Sequence, residues 1–219
     1  MALDLGRVKR DLEMVPLVRS VAVERILPRT LRIRVAEREP IAQVSALRPR
    51  ASGGVETSVY QLDADGWVIL PLEPRDRATS PNQSDEPLPA ISGINANTLQ
   101  PGRRLTAPQV HAALQFLVAF EESPMAGLVD LKRVDVSSQE VLVVTTGQGS
   151  EVTFRLTDFD QQLRRWRAIF EAGRKAGNAI GTLDLAVTNN VPLRWLEASA
   201  VTTAAPKLSK PSRSKKKHV

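Results

Sequence analysis

The residue types that most often carry chemistry are sparse in this chain. It has no cysteine and only two histidines, His111 and His218, which excludes thiol catalysis, disulfides and cysteine-ligated metal. No serine lies in a recognisable context with a histidine and a carboxylate, and no group of side chains has the spacing of a metal site. The sequence therefore predicts no catalytic residue, no metal and no cofactor, and it favours a binding or scaffold protein over an enzyme.

Two short motifs look like ligand-binding loops but are better interpreted as turns. Asp63-Ala64-Asp65-Gly66 starts as a calcium loop does, yet the remaining ligands of such a loop are absent. An Asp-Gly step between two apolar runs is instead typical of a hairpin. Gly147-Gln148-Gly149 is followed by a strand pattern and by no Lys-Ser/Thr pair, which excludes a phosphate-binding loop.

The positive charge is concentrated at the end of the chain. The formal net charge of the 219 residues is +6, from 30 Lys and Arg against 24 Asp and Glu. Six of the basic residues, and no acidic one, follow residue 206, so the rest of the chain is formally neutral. A nucleic-acid-binding domain carries its basic patch on the fold, so we expect no nucleic-acid binding. Residues 198–219 are interpreted as a disordered basic tail, with contact to an anionic surface as the alternative.

Hydrophobic periodicity predicts an α+β chain. Apolar residues at helical spacing predict helices over residues 4–15, 107–121 and 158–174, with Asp4 and Thr106 as N-caps. Alternating residues predict strands, hairpins and short extended segments, at residues 18–26, 31–37, 41–44, 59–70, 88–93, 128–136, 140–146, 150–156, 182–187 and 191–195. Residues 48–54 read as a loop. No run of about 18 apolar residues could span a membrane, and no signal peptide is visible.

The third predicted helix carries a basic face. Phe159, Leu163, Trp166 and Phe170 form its apolar side, and Arg165 is one of several basic residues around the rest. We interpret the basic residues as a solvated face, with a docking surface for an acidic partner as the alternative.

Four motifs, in this order, resemble the FtsQ/DivIB family of bacterial cell-division proteins. Residues 12–18, 23–31 and 35–42, with Glu37-Arg38-Glu39-Pro40, look like the second half of a POTRA domain. Residues 62–68, Leu-Asp-Ala-Asp-Gly-Trp-Val, resemble the family's hairpin, and residues 88–93, Leu-Pro-Ala-Ile-Ser-Gly, its "LPxxxG" segment. Residues 183–195, from Leu-Asp-Leu to Trp195, resemble the end of its β domain.

The resemblance implies a domain arrangement. Residues 1–39 would form a partial POTRA domain, a helix plus a β-hairpin that lacks the first strand and helix of that domain. Residues 40–197 would form the FtsQ-type β domain, a mixed α/β domain with a mainly antiparallel sheet and two helices. Family members begin with a cytoplasmic segment and one membrane helix, so we expect the chain to be part of a longer protein anchored in the inner membrane.

The resemblance also implies a function and a binding site. Family members are non-enzymatic scaffolds of septum assembly, located in the cell envelope, and an FtsB/FtsL-type complex adds a strand to the edge of their β domain. Other division proteins would contact the POTRA domain. The partner-binding residues implied here are Arg165, Ala186, Val187, Asn190, Val191, Pro192, Leu193, Arg194 and Trp195.

Two departures from the family pattern concern this site. Ala186 and Val187 stand where the family has an arginine and a tyrosine, and Pro192 enters the last strand, where it donates no hydrogen bond. We therefore expect a partner interface altered in detail. The alternative function is that of a POTRA-containing outer-membrane assembly or secretion component, which would require POTRA repeats or a following barrel.

Overall fold

The computed structural model describes residues 4–50, 53–70 and 87–196. Three α-helices, one 3₁₀ helix and eleven strands lie within these residues. The helices are α1 Leu5–Glu13, α2 Pro108–Glu121 and α3 Phe159–Lys175, and the 3₁₀ helix is Ala96–Thr98. The strands are β1 Val18–Ile26, β2 Thr30–Glu37, β3 Pro40–Pro49, β4 Val55–Asp63, β5 Val68–Ile69, β6 Ala90–Ser92, β7 Leu131–Asp135, β8 Val141–Thr146, β9 Glu151–Arg155, β10 Ile180–Asp184 and β11 Leu193–Trp195. None of the described helices is long and apolar enough to cross a bilayer.

Helix α1 and the β1–β2 hairpin form the first unit. The Asp4 side chain accepts a hydrogen bond from the Arg7 N–H at 3.1 Å, which confirms the predicted N-cap. Strands β1 and β2 pair antiparallel as a two-stranded sheet. Glu24 on β1 faces Arg32 and Arg34 on β2, at 3.9 and 3.7 Å. These side chains are about half exposed, so the pairs stabilise the hairpin by a few tenths of a kcal/mol.

Strands β3 to β11 form a second sheet of nine strands. Its order is β11-β10-β9-β8-β7-β6-β3-β4-β5. The pairs β3–β6, β6–β7 and β9–β10 are parallel and the other five are antiparallel. The sheet is therefore mixed and mainly antiparallel, as predicted, with β11 at one edge and β5 at the other.

Helices α2 and α3 pack on one face of this sheet around an aromatic cluster. The ring centre of Phe116 on α2 lies 4.7 Å from the ring centre of Phe154 on β9. The Trp166 ring on α3 lies 5.7 Å from Phe154 and 6.1 Å from Phe120. Because both helices contact the same strand residue, they cover the same side of the sheet. The aromatic cluster fixes α3 against the sheet through Trp166. Helix α3 in turn contacts the end of the sheet where β11 lies.

A buried ion pair joins the hairpin unit to the nine-stranded sheet. The backbone N–H of Arg38 donates to the Leu17 carbonyl oxygen at 2.7 Å, which continues the β1–β2 unit. The Arg38 Nη1 lies 2.7 Å from Asp63 Oδ2, and its guanidinium lies 4.2 Å from the centre of the Trp67 ring. The Asp63 Oδ1 accepts the N–H groups of Asp65 and Trp67. We call Arg38, Asp63 and Trp67 the junction.

Several predicted boundaries are wrong, and tertiary contacts explain most of them. Residues 48 and 49 belong to β3, because Arg48 donates to the Leu99 carbonyl oxygen at 2.5 Å and lies over the Tyr60 ring. Strand β4 begins at Val55, since β3 pairs with it along its whole length. Ala107, not Thr106, is the N-cap of α2, and it makes no side-chain capping bond.

Candidate functional site

Strand β11 forms one edge of the nine-stranded sheet and, within the described residues, pairs only with β10. The carbonyl oxygen of Pro192 accepts the N–H of Asp184 at 3.0 Å, and the N–H of Leu196 donates to the Ala179 carbonyl oxygen at 2.8 Å. Both bonds lie on the β10 side. Backbone groups of successive residues in a strand point to opposite sides. The N–H and C=O groups of Leu193 and Trp195 therefore point away from β10, toward the open edge.

The proline of this segment lies on the inner side of the strand. Pro192 directly precedes β11, and its carbonyl oxygen accepts the Asp184 N–H. In extended backbone, the nitrogen of a residue points the same way as its carbonyl, so the missing donor of Pro192 faces β10. The open edge keeps the N–H groups of Leu193 and Trp195, and the altered interface expected from Pro192 stays a prediction.

Side-chain packing against α3 holds β11 in place. A Cβ at the buried Gly173 would lie 2.6 Å from Cζ3 and 2.9 Å from Cη2 of Trp195. Only a glycine lets the indole approach the helix this closely. Leu193 lies on the same face two residues earlier and packs against the core. Trp195 nevertheless remains 38% exposed, so part of its ring is accessible at the edge.

Arg165 on α3 holds the loop between β10 and β11. Its Nη1 donates to the Val187 carbonyl oxygen at 3.3 Å, and its Nη2 donates to that of Thr188 at 3.0 Å. Both terminal nitrogens are thus used within the chain. The geometry gives Arg165 a positioning role, because it connects the rigid helix to the loop that leads into the open strand.

The predicted site residues are brought together, but only three of them lie in a strand. Leu193, Arg194 and Trp195 form β11. The remaining residues of the C-terminal set lie in the loop before it, since β10 ends at Asp184 and not at Val187 as predicted. The strand ends early because Ala186 turns its N–H to the Asp184 carboxylate at 2.9 Å. Asn190 adopts a φ of +53°, which asparagine tolerates better than most residues.

Some basic side chains near the β11 edge make hydrogen bonds within the chain, and others are exposed to solvent. Arg167 donates to Glu171 and to the Pro124 carbonyl oxygen, so it connects α3 to the segment after α2. Other basic residues are exposed, namely Arg164, Arg174, Lys175 and Arg194. Within residues 4–50, 53–70 and 87–196, no group of three or more His, Asp or Glu could hold a metal ion.

Two features, one beside β11 and one at the junction, were missed by the sequence reasoning. Gly173 lies inside the helix predicted over residues 158–174, where an interior glycine costs roughly 1 kcal/mol against alanine and so signals a close approach. The contact of Arg38 with Asp63 was also missed, because the two residues were read as parts of separate motifs. A pattern along the chain does not reveal such a pairing between motifs.

Comparison with known proteins agrees with this architecture. Residues 1–38 match the family model of the POTRA domain, FtsQ-type. The cell division protein FtsQ of Syntrophotalea carbinolica is 28% identical over 190 residues, which cover 86% of this chain and 61% of that protein. The cell division protein FtsQ of Anaeromyxobacter sp. (strain K) is 25% identical over 183 residues, 84% of this chain and 56% of that protein. Over most of its length, the chain is thus similar to proteins of the FtsQ/DivIB family. It spans about three fifths of the length of these two relatives.

The FtsQ/DivIB similarity extends well past the first unit, since the aligned 190 residues far exceed the 38 of the family model. Two motifs that carry it meet at the junction. Arg38 ends the stretch that matches the POTRA model, and Asp63 opens the Asp-Gly turn. In this chain, the two motifs therefore hold the hairpin unit against the large sheet.

Proposed function

We propose that this chain is a non-enzymatic cell-division protein of the bacterial envelope that binds a partner by strand addition to β11. The observation that carries the proposal is the open edge itself, where the backbone groups of Leu193 and Trp195 have no partner strand within the described residues. An extended peptide laid along such an edge gains main-chain hydrogen bonds, and neighbouring side chains select its sequence. The names of the two relatives support the cell-division role.

The proposed partner is an FtsB/FtsL-type complex, as the family resemblance implies. In this proposal residues 1–39 and 40–197 act as two domains. The first faces the inner membrane and other division proteins, and the second presents β11. The anchor would be a membrane helix in a longer protein.

The length of β11 determines how the partner would be recognised. Three strand residues offer few backbone hydrogen bonds, and each contributes only about 1 kcal/mol net. Affinity then depends on side chains around the edge, of which the exposed part of Trp195 is the largest apolar one. Aromatic residues of this kind dominate binding energy at interfaces. Arg165 contributes indirectly, by fixing the loop before the strand.

A proline substitution tests the backbone contribution at this edge. Leu193→Pro removes one outward N–H, and proline is tolerated where that N–H faces away from the sheet. We expect binding of the extracytoplasmic part of an FtsB/FtsL-type complex to weaken about tenfold or more, as measured by calorimetry. Leu193→Ala is the matched control, because it shortens the side chain and keeps the N–H. Equal affinities for the proline and alanine variants would contradict strand addition at this residue.

A further inference from the structure

The nine-stranded sheet has a second open edge, at the end opposite to β11. Strand β4 pairs with β3 from Val55 to Asp63, but β5 covers it only at Gln61 and Leu62. Within the described residues, no strand pairs with the outer side of β4 over residues 55–60. This stretch is longer than β11 and lies far from it in the strand order.

Hydrogen bonds at both ends of β4 show which backbone groups point outward. The Arg50 N–H donates to the Gly54 carbonyl oxygen at 3.0 Å, so Gly54 faces β3. At the other end, the Asp63 N–H donates to the Trp67 carbonyl oxygen at 3.3 Å, so Asp63 faces away from β3. Because backbone direction alternates along a strand, both bonds give the same assignment: even-numbered residues face β3 and odd-numbered residues face outward. Residues 55, 57 and 59 present their N–H and C=O groups to the open edge.

The side chains along this edge lack the usual protection against strand addition. Natural edge strands are protected by lysine, proline or bulges, and residues 55–60 contain none of these. Val55 is 67% exposed and Val59 38% exposed, and Leu47 on the same face of β3 is 69% exposed. The one charged residue of the stretch, Glu56, is paired with Arg50 Nε at 3.2 Å.

The sequence of this edge is complementary to itself. In an antiparallel pair with a two-fold axis through Thr57, Val55 lies opposite Val59 and Thr57 lies opposite its own copy. The outward residues form the closely spaced pairs, each of which exchanges two backbone hydrogen bonds. Glu56 lies opposite Ser58, so no like charges face each other. Valine and threonine pairs are favourable across strands, and a two-fold contact between identical surfaces closes on itself.

We propose that the outer edge of β4 pairs with the same edge of a second copy of this chain. A second copy fits better than an unrelated segment, because the register through Thr57 matches the exposed Val55 with Val59 and places no like charge opposite Glu56. The contact is small and therefore weak and reversible. It lies at the other end of the sheet from β11, so it does not depend on the proposed binding of a division partner.

A charge-register experiment on the full chain tests this contact. In Val55→Lys/Val59→Lys, the proposed register places lysines opposite each other in both copies. In Val55→Lys/Val59→Glu, it places each introduced lysine opposite an introduced glutamate. We expect the wild type to dimerise in sedimentation equilibrium at low ionic strength. The lysine–glutamate variant should then dimerise at least about tenfold more tightly than the double-lysine variant.

Two results would overturn the proposal. One is a wild type that remains monomeric up to its solubility limit, and the other is the same dissociation constant for both double variants. Thr57→Pro, which removes an outward N–H, provides a second test should a double variant fail to fold. It should weaken the dimer relative to Thr57→Ala, and a dimer equally strong in both would contradict the pairing.

Discussion

At the scale of single residues, Gly173 determines how closely the last strand approaches helix α3. Its missing side chain leaves room for Cζ3 and Cη2 of Trp195. The strand is only three residues long, so this one contact is a large part of what orients it. Arg165 acts beside it through the carbonyl oxygens of the preceding loop.

Substitution of this glycine should move the tryptophan more than it changes the stability of the fold. Gly173→Ala places a methyl group where the indole lies, so we expect the Trp195 Nε1–H resonance to shift in NMR spectra and partner binding to weaken severalfold. The free energy of unfolding should change by about 1 kcal/mol or less, because alanine favours the helix while the displaced ring loses contacts. Ala172→Leu, at an exposed neighbour on α3, is the control. An unmoved Trp195 resonance in Gly173→Ala would contradict this packing.

The carboxyl group of Asp135 gives the fold a dependence on pH. Burial alone raises the pKa of Asp135, but it is outweighed by hydrogen bonds from Ser137, a hydrogen bond from Ser92 and the charge of Arg133. The pKa therefore lies below its ordinary value of 3.8. A carboxyl whose pKa is lowered in the folded state stabilises the fold above its unfolded pKa, and this contribution is lost as the pH falls through the folded pKa.

Removing this carboxylate should therefore matter most near neutral pH. We expect Asp135→Asn to be less stable than the wild type at pH 7, with a difference that shrinks as the pH falls below the unfolded pKa. Urea unfolding at a series of pH values measures it. A stability difference that grows on acidification would show that the sign is wrong.

At the scale of elements, the junction couples the hairpin unit to the large sheet. Arg38 continues the first unit through its backbone, and its side chain reaches Asp63 and Trp67 of the second. The Arg38 and Asp63 side chains are only 9% and 6% exposed. Water therefore screens their attraction little, and removing one partner leaves the other charge buried.

Breaking this pair should destabilise the chain far more than breaking its exposed neighbour. Arg38→Ala should lower the free energy of unfolding by about 3 kcal/mol, because Asp63 would keep its backbone bonds but lose its buried cation. Arg19→Ala removes the exposed ion pair with Asp65 at 3.5 Å and should cost less than about 1 kcal/mol. Chemical denaturation compares the two variants, and equal losses would contradict the importance of the junction.

Local patterns predicted most elements because their causes lie within a few residues. The alternation of β1 and β2, the Asp4 cap and the Asp63–Gly66 turn are all present. The failures have causes elsewhere in the fold. The length of β3 depends on contacts of Arg48 with residues about fifty positions later. The end of β10 depends on the Asp184 carboxylate that accepts the Ala186 N–H.

At the scale of the whole molecule, the mixed sheet has two edges that no further strand covers within the described residues, and the two edges have different properties. Strand β11 is short and is attached to α3 by Trp195, while β4 presents a longer stretch with exposed valines. The family resemblance led to the first edge from sequence alone. It could not indicate which backbone groups point outward or that β4 has an exposed edge, because direction and exposure follow only from strand pairing.

The most direct test of the central claim is amide hydrogen exchange with and without the proposed FtsB/FtsL-type partner. Strand addition to β11 requires that the N–H groups of Leu193 and Trp195 become hydrogen-bonded in the complex. We expect both amides to exchange fast in the free chain and to become protected when the partner is bound. Unchanged exchange at Leu193 and Trp195 in a saturated complex, with protection located elsewhere, would contradict the account.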